Sequence, residues 1–244
     1  MRVHRFFVNI ELSQSDICFL PADAAHHCTQ VLRYKLGQPL ILFNGDGFNY
    51  HAQIHSLDKK TCQVTINGKF SPDNESPLKI HLFQGIAKGD KMDLIIQKAV
   101  ELGVHQITPI FTQRCNVKLK SDRLEKKLAH WNKVLISACE QSGRAFVPKL
   151  NQAVDINKLE TLESLSIYLE PNSKTSLTQL ELKDKRETQS IGLFVGPEGG
   201  FSDDDIQRLE DLECLGARLG SRILRTETAG LAAVSVLQSL FGDL

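Results

Sequence analysis

Two segments near the C-terminal end of the chain carry residues that could bind a ligand and act on it. The first is the loop at residues 196–200, which follows an apolar run at 191–195 and precedes Ser202, a good helix cap. A glycine loop between a strand and a helix often binds phosphate. Here Glu198 lies between the glycines and no P-loop lysine follows, so a phosphate would be repelled. A ligand without phosphate and with a positive centre would be tolerated, and S-adenosylmethionine is such a ligand. A purely structural tight turn is the alternative.

The second segment, residues 215–231, has the same order of apolar run, loop of small residues and helix. Thr226 is a residue type that caps helices well, so we expect it to be the N-cap of a closing helix, with Glu227 in the first turn. Arg225 comes immediately before that helix. If the strands before the two loops are neighbours, Arg225 lies beside the loop of Glu198.

Three other groups of residues could carry chemistry, although each has a plainer structural explanation. Residues 88–93 open a predicted helix whose polar face could simply be solvated. Arg114 follows a predicted strand, and ligands of open α/β sheets bind beyond the carboxyl ends of strands. Residues 138–144 bring Glu140, Gln141 and an arginine together. They could bind the edge of a nucleobase or only cap a helix.

The composition disfavours several classes of protein. The net charge of the 244 residues is zero, although residues 85–150 carry +6 and residues 151–244 carry −7. A neutral chain argues against promiscuous binding of polyanions, while a basic middle segment permits a local nucleic-acid face. No apolar run reaches the ~18 residues of a membrane span, and we expect no signal peptide. The six cysteines and eight histidines lack metal or redox spacings. We therefore expect free thiols, no metal site and a cytoplasmic protein.

The pattern of elements predicts two domains. Residues 1–72 are predicted to form short strands around one helix at 22–34, a spacing typical of a small β-barrel. Residues 73–77 lie in a stretch rich in Pro, Ser, Asn and Asp, and are predicted to be a linker. Residues 78–244 alternate strands with helices, which predicts an α/β domain with a mostly parallel sheet.

A series of motifs runs along nearly the whole chain. They are RFFV at 5–8, HH and VLR at 26–27 and 31–33, GDG at 45–47, KGDKMDLIIQKAVELG at 88–103, RCNV at 114–117, ACEQSGR at 138–144, GPEGGFS at 196–202 and LGSRILRTETA at 219–229. In this order they resemble the bacterial 16S rRNA (uracil-N3) methyltransferases of the SPOUT superfamily, and the last two motifs are highly specific. One departure is Asp205, where the family pattern has a glutamate.

This resemblance implies a fold, a cofactor and a substrate. The expected fold is an N-terminal PUA-like β-barrel that helps to bind RNA, followed by a C-terminal SPOUT α/β domain with a trefoil knot. The chain is expected to form a homodimer and to methylate N3 of a specific uridine in 16S rRNA of the small ribosomal subunit. S-adenosylmethionine is expected to bind in the knot, at Leu169, Glu170, Phe194, Val195, Gly196, Pro197, Glu198, Gly199, Gly200, Leu215, Leu219, Gly220, Ile223, Leu224, Arg225, Thr226 and Thr228. The expected RNA contacts are Arg2, Arg5, Arg33, Lys88, Lys91, Arg114, Gln141 and Arg144.

Methylation at N3 requires handling of the imide proton. Arg225 is the candidate for stabilising the anion that spreads onto O2 and O4, and Glu198 and Glu140 are candidates for the base. Glu198 could instead hold its loop or favour a cationic cofactor. The target base must be unpaired or flipped out, because N3 lies on the pairing edge. Two alternatives remain: a non-catalytic PUA-type RNA-binding protein, and a nucleotide-binding oxidoreductase or ATPase, which the missing phosphate motifs disfavour.

Overall fold

The computed structural model describes residues 3–13, 17–58, 61–117, 121–162, 165–180 and 190–244, apart from the side chain of Ser121. The chain divides into two compact units. The first comprises Met1–Glu75 and Ile136–Val147, and the second comprises Ser76–Leu135 and Pro148–Leu244. The first unit therefore takes in the end of a long helix from the middle of the chain.

The first unit is built on a five-stranded mixed sheet in the order β1-β3-β4-β5-β2. The pair β1–β3 is parallel and the other pairs are antiparallel. Its elements are β1 (Arg5–Phe7), β2 (Ile17–Phe19), α1 (Ala22–His26) with a π-helical turn (His27–Val31), β3 (Pro39–Phe43), β4 (Asn49–Leu57) and β5 (Cys62–Phe70).

Alternation of side chains along β4 and β5 supplies the core of the first unit. Ala52 and Ile54 face inward on β4, and they pair in register with Ile66 and Val64 of β5, which are also buried. This two-residue period matches the pleat of a strand with one buried face. The predicted helix at 22–34 ends earlier, because Arg33 takes a φ of 52°, which no right-handed helix allows.

The second unit is built on a parallel sheet in the order β12-β10-β11-β6-β7-β8, with β9 also paired to β7. Its elements are β6 (Lys79–Gly85), α2 (Lys91–Glu101), β7 (Gln106–Phe111), α3 (Ser121–Ser142) up to Leu135, β8 (Lys149–Leu150), β9 (Val154–Asp155), β10 (Leu165–Leu169), β11 (Ser190–Val195), α4 (Asp203–Asp211), β12 (Leu215–Ala217) and α5 (Thr226–Phe241). The predicted α/β organisation with a parallel sheet is confirmed.

The central strands of this sheet are buried on both faces. Every residue of β11 after Ser190 is buried, and the Phe194 ring stacks on Phe83 of β6 with 4.2 Å between the centroids. A continuous apolar run of this kind is typical of a parallel sheet that is covered on both sides. The predicted cap of α4 is confirmed, since the Ser202 hydroxyl accepts from the Asp205 amide and the Asp205 carboxylate accepts from the Ser202 amide. Aspartate therefore completes the capping box here.

Candidate functional site

Four adjacent strands of the second unit end at one edge of its sheet. In spatial order these are β12, β10, β11 and β6, and all run parallel. A cavity of about 440 Å³ opens at this edge, within the range of ~300–1,000 Å³ that is usual for ligand pockets. Ligands of open α/β sheets bind at such carboxyl edges.

The cavity collects most of the residues predicted to bind a cofactor. Those that line it are Leu169, Glu170, Val195, Gly196, Pro197, Glu198, Gly200, Leu219, Gly220, Ile223, Leu224, Arg225 and Thr226. It is also lined by five residues that were not in that set, namely Lys91, Pro171, Ala217, Arg222 and Ala229. Within the described part of the chain, four predicted residues do not line it: Phe194, Gly199, Leu215 and Thr228.

Arg225 and Glu198 both line this cavity, but not for the reason expected from the sequence. Their loops follow β12 and β11, which are not neighbours because β10 lies between them. The assumption that the strands before these two loops are neighbours was therefore wrong. The connection from β12 to α5 nevertheless places Arg225 on the wall of the cavity that the Glu198 loop also lines.

Thr226 fastens the glycine loop to the start of α5. Its hydroxyl donates a hydrogen bond of 2.6 Å to the Gly196 carbonyl and accepts one of 3.0 Å from Nε2 of Gln84. The N-cap position belongs to Arg225, which makes no side-chain cap bond. The prediction that Thr226 is the N-cap was therefore wrong, because its hydroxyl is used for this tertiary contact between buried groups.

Gly85 allows the glycine loop to lie directly against the end of β6. A Cβ atom at this position would lie 2.5 Å from the Pro197 nitrogen and 2.8 Å from the Gly196 carbonyl carbon, which is closer than real contacts permit. Sequence reasoning missed both Gly85 and Gln84. The available signal was a glycine and an amide near the end of a predicted strand, where close approach of another backbone is a common reason for glycine.

Glu198 belongs to a cluster of three charges at the cavity. Its Oε1 accepts from the Lys88 amide at 3.0 Å and lies 3.2 Å from Nζ of Lys91, which also lies 3.3 Å from the Glu227 carboxylate. Burial works to raise the pKa of Glu198, but the Lys88 amide, its own amide and the Lys91 ammonium outweigh burial and hold that pKa below its usual range. Glu198 is therefore ionised at neutral pH, and its loop is fixed to the start of α2.

Arg225 is exposed and lines the cavity. Among the described residues, no hydrogen bond or ion pair engages its guanidinium group. The neighbouring Ile223 is 85% exposed and lines the same cavity. An unengaged cation beside an exposed apolar side chain is an arrangement that can receive a flat, polar ligand.

Two of the four predicted residues outside the lining have other roles. Phe194 is fully buried in the sheet, where it stacks on Phe83. A Cβ atom on Gly199 would lie 3.1 Å from the Arg114 Cβ, and the Arg114 guanidinium donates to the Gly199 carbonyl at 3.3 Å. Gly199 thus packs the loop onto the segment after β7.

Glu140 does not line this cavity and belongs to the first unit. Its Oε1 accepts from the Phe7 amide at 3.0 Å. Burial raises the pKa of Glu140, and the Phe7 amide, His27 and Arg5 offset only part of that effect. Glu198 and Arg225, by contrast, share the cavity of the second unit.

The predicted RNA contacts fall into two groups. Arg144 is 3% exposed and forms a bidentate ion pair with Glu75, at 2.9 and 2.6 Å, so contact with RNA would require breaking that pair. Arg5 is half-buried and donates to Asn49 and to the Arg144 carbonyl. The remaining described side chains are exposed or border the cavity already described: Arg33, Lys88, Lys91, Arg114 and Gln141. Arg2 lies outside the described residues.

The described residues contain no group of three or more His, Cys, Asp or Glu side chains placed to hold a metal ion. None of the helices in this part of the chain combines the length and apolarity needed to cross a bilayer.

Comparison with known proteins places the chain in a family. Residues 74–238 match the RNA methyltransferase domain, and residues 20–67 match the RNA methyltransferase PUA domain. The chain is 34% and 35% identical to ribosomal RNA small subunit methyltransferase E of two Buchnera aphidicola subspecies, over 99% and 100% of this chain and 95% and 98% of those proteins.

A solved structure agrees with these matches. Ribosomal RNA small subunit methyltransferase E from Neisseria gonorrhoeae, bound to S-adenosyl methionine, is 36% identical and superposes with a TM-score of 0.91 over 100% of both chains. The PUA match runs from α1 to most of β5 in the first unit, and the methyltransferase match covers β6 to most of α5. The chain therefore belongs to the ribosomal RNA small subunit methyltransferase E family.

Proposed function

We propose that this protein transfers a methyl group from S-adenosylmethionine to N3 of a specific uridine in 16S rRNA of the small ribosomal subunit. The observation that carries the proposal is the cavity at the carboxyl edge of the sheet. The glycine loop lines it on one side and the segment from Leu219 to Thr226 lines it on the other. Family membership, including a relative bound to S-adenosyl methionine, supports the same assignment.

The cavity has the chemistry that S-adenosylmethionine requires. Its volume of about 440 Å³ is that of a small-molecule site. Leu169, Val195 and Leu219 offer apolar walls for an adenosine, while the carboxylates of Glu170 and Glu198 suit the cationic end of the molecule. When bound, this cofactor would supply a methyl group on a sulfonium. A nucleophile attacks the carbon of that methyl group, and the sulfur leaves as a neutral thioether.

Arg225 is proposed to act on the target uracil. Loss of the N3 proton leaves a negative charge that spreads onto O2 and O4, and a guanidinium donates hydrogen bonds to such oxygens. Arg225 is exposed at the cavity, and no described residue engages its guanidinium. It is therefore free to stabilise that charge.

Glu198 is proposed to hold the loop and to balance the charge of the cofactor. Its carboxylate already accepts from the Lys88 amide and pairs with Lys91, and its lowered pKa makes it a weak base. These contacts favour the positioning role over the role of proton acceptor. Glu140 does not line this cavity, so we do not assign it to the reaction there.

The finer features of the architecture are also proposals. We infer a PUA-like barrel for residues 1–72, a linker at 73–77 and a knotted SPOUT domain for residues 78–244. A cytoplasmic homodimer is proposed with them. The mixed sheet, the parallel sheet and the two family matches support this division. Size-exclusion chromatography with light scattering would test the dimer.

Calorimetric titrations with S-adenosylmethionine and with ATP distinguish the methyltransferase from the two alternative functions. Binding of S-adenosylmethionine alone supports the methyltransferase. Binding of ATP supports a nucleotide-dependent enzyme, and binding of neither, with RNA still bound, supports the non-catalytic RNA-binding protein.

The methylated position is then mapped on 16S rRNA from cells that lack this gene. Incubation with the protein and S-adenosylmethionine should create one site that blocks reverse transcription, because a methyl group on N3 removes base pairing. Chromatography of the nucleosides against methyluridine standards identifies the atom. A different methylated nucleoside would overturn the N3 assignment while leaving the methyltransferase assignment intact.

A further inference from the structure

A second cavity lies entirely within the first unit, and the proposed reaction makes no use of it. Its volume is about 370 Å³, enough for a nucleobase and its sugar. Residues 3–6, at the start of β1 and just before it, line the cavity together with the final turns of α3. The polar side chains of the α3 wall are Ser137, Glu140 and Gln141.

Glu140 gives this cavity a fixed hydrogen-bond acceptor. The Phe7 amide donates to Oε1 at 3.0 Å and so restrains the carboxylate, which still has lone pairs for further donors. Arg5 also lines the cavity, but its Nη1 and Nη2 already donate to Asn49 and to the Arg144 carbonyl. A phosphate would therefore meet a carboxylate and a cation that is already engaged.

Aromatic rings border the same cavity. The His27 ring is exposed and packs edge-on against Phe6, with 5.7 Å between centroids and 82° between the planes. His4 hydrogen-bonds to the Tyr34 hydroxyl at 2.8 Å, which restrains its ring as well. Flat, restrained rings beside hydrogen-bonding groups are what proteins use to bind unstacked bases.

We propose that this cavity binds an unpaired guanine of the RNA, with the Glu140 carboxylate accepting from N1–H and from the exocyclic N2 amino group. Guanine alone among the four RNA bases presents two adjacent donors on its pairing edge, and these match the two oxygens of a carboxylate. Gln141 and Ser137 contact the remaining polar edge of the base, and His27 contacts its face. Glu140 is thus a residue for reading sequence. This inference rests on the proposed function only in taking RNA as the substrate.

Fluorescence anisotropy with short RNAs tests the proposal. The probes are labelled uridine nonamers that carry guanosine, inosine, adenosine or cytidine at the centre. The proteins are the wild type, Glu140→Gln, and Glu125→Gln as a control with the same charge change on an exposed position of α3. Glutamine keeps an acceptor for the Phe7 amide but replaces one acceptor oxygen by a donor.

The wild type should bind the guanosine RNA about tenfold more tightly than the adenosine and cytidine RNAs, the discrimination expected of one bidentate pair. Inosine lacks the N2 amino group and should lose most of that preference, a result that needs no variant. Glu140→Gln should remove the preference, whereas Glu125→Gln should keep it. Equal binding of all four RNAs by the wild type, or an unchanged preference in Glu140→Gln, would overturn the inference.

Calorimetry with S-adenosylmethionine on the same protein samples separates this inference from the proposed function. If the cofactor binds and 16S rRNA is methylated but no guanine preference exists, only the inference fails. If neither the cofactor nor methylation is detected while the preference stands, only the proposed reaction fails.

Discussion

The Thr226 hydroxyl donates a hydrogen bond of 2.6 Å to the Gly196 carbonyl, and both groups are buried at the cavity of the second unit. Thr226 begins α5, and Gly196 begins the loop after β11. The two positions are 30 residues apart in sequence. One side chain therefore fixes the two walls of the cavity relative to each other, and Gln84 supports it from β6 with a further bond.

Replacing Thr226 with Val keeps the shape of the side chain but removes this link. The Gly196 carbonyl would lose its donor and Gln84 would lose an acceptor, at a cost of about 1–3 kcal/mol for a buried polar group left unpaired. We expect affinity for S-adenosylmethionine to fall about tenfold or more in a calorimetric titration. Thr226→Ser keeps the hydroxyl and should retain most of the affinity. Equal affinities of the Val and Ser variants would show that the hydrogen bond does not shape the cavity.

Replacing Gly85 with Ala should displace the glycine loop. The added Cβ would lie 2.5 Å from the Pro197 nitrogen, so the backbone of the loop would have to move away from β6. We expect a loss of about 1–3 kcal/mol in the free energy of unfolding, with cofactor affinity falling in parallel. Gly68→Ala on β5 is the control, because a Cβ at that position meets nothing within 4 Å. Similar losses in both variants would argue for a general effect of glycine replacement.

Replacing Arg225 with Ala should separate cofactor binding from catalysis. Removing one donor to a developing negative charge typically lowers the rate about 100- to 1,000-fold. We expect the single-turnover rate of methylation of 16S rRNA to fall by that order, while affinity for S-adenosylmethionine falls less than about tenfold. Arg225→Lys keeps the charge and should recover part of the rate. Unchanged turnover in the Ala variant would remove Arg225 from the reaction.

His81 should make the stability of the protein sensitive to mild acid. Burial, with Lys149 and His105 nearby, lowers the pKa of His81 from 6.5 to about 4. The folded protein thus keeps this ring neutral, whereas the unfolded chain protonates it near 6.5. The stabilisation is complete above that value and is lost as the pH falls from 6.5 toward 4.

Relative to His81→Gln, we expect the wild type to lose about 2 kcal/mol more in the free energy of unfolding between pH 7 and pH 5. Urea denaturation at several pH values measures this difference. His26→Gln, at an exposed position, is the matched control and should follow the wild type. Parallel curves for the wild type and His81→Gln would contradict the prediction.

The sequence by itself determined the elements and the loops of the site. Short apolar runs such as 191–195, followed by a glycine loop, predict buried strands, and Ser202 with its aspartates specifies the start of α4 through contacts within one helical turn. The carboxylate of Glu198 argued against a phosphate ligand, because the negative charge of a glutamate is known from the sequence alone. These are local properties, so they can be recognised before the chain is folded.

Only the tertiary structure decided which groups meet. Threonine is a residue type that often caps helices, but the Thr226 hydroxyl instead donates to the carbonyl of Gly196, which is distant in sequence. Glu140 and Glu198 were equal candidates for a base, and packing placed them in different units. Gly85 is needed because a second backbone passes 2.5 Å from where its Cβ would lie. Distances between segments far apart in the chain are set by how the sheet orders its strands, and no local pattern encodes that order.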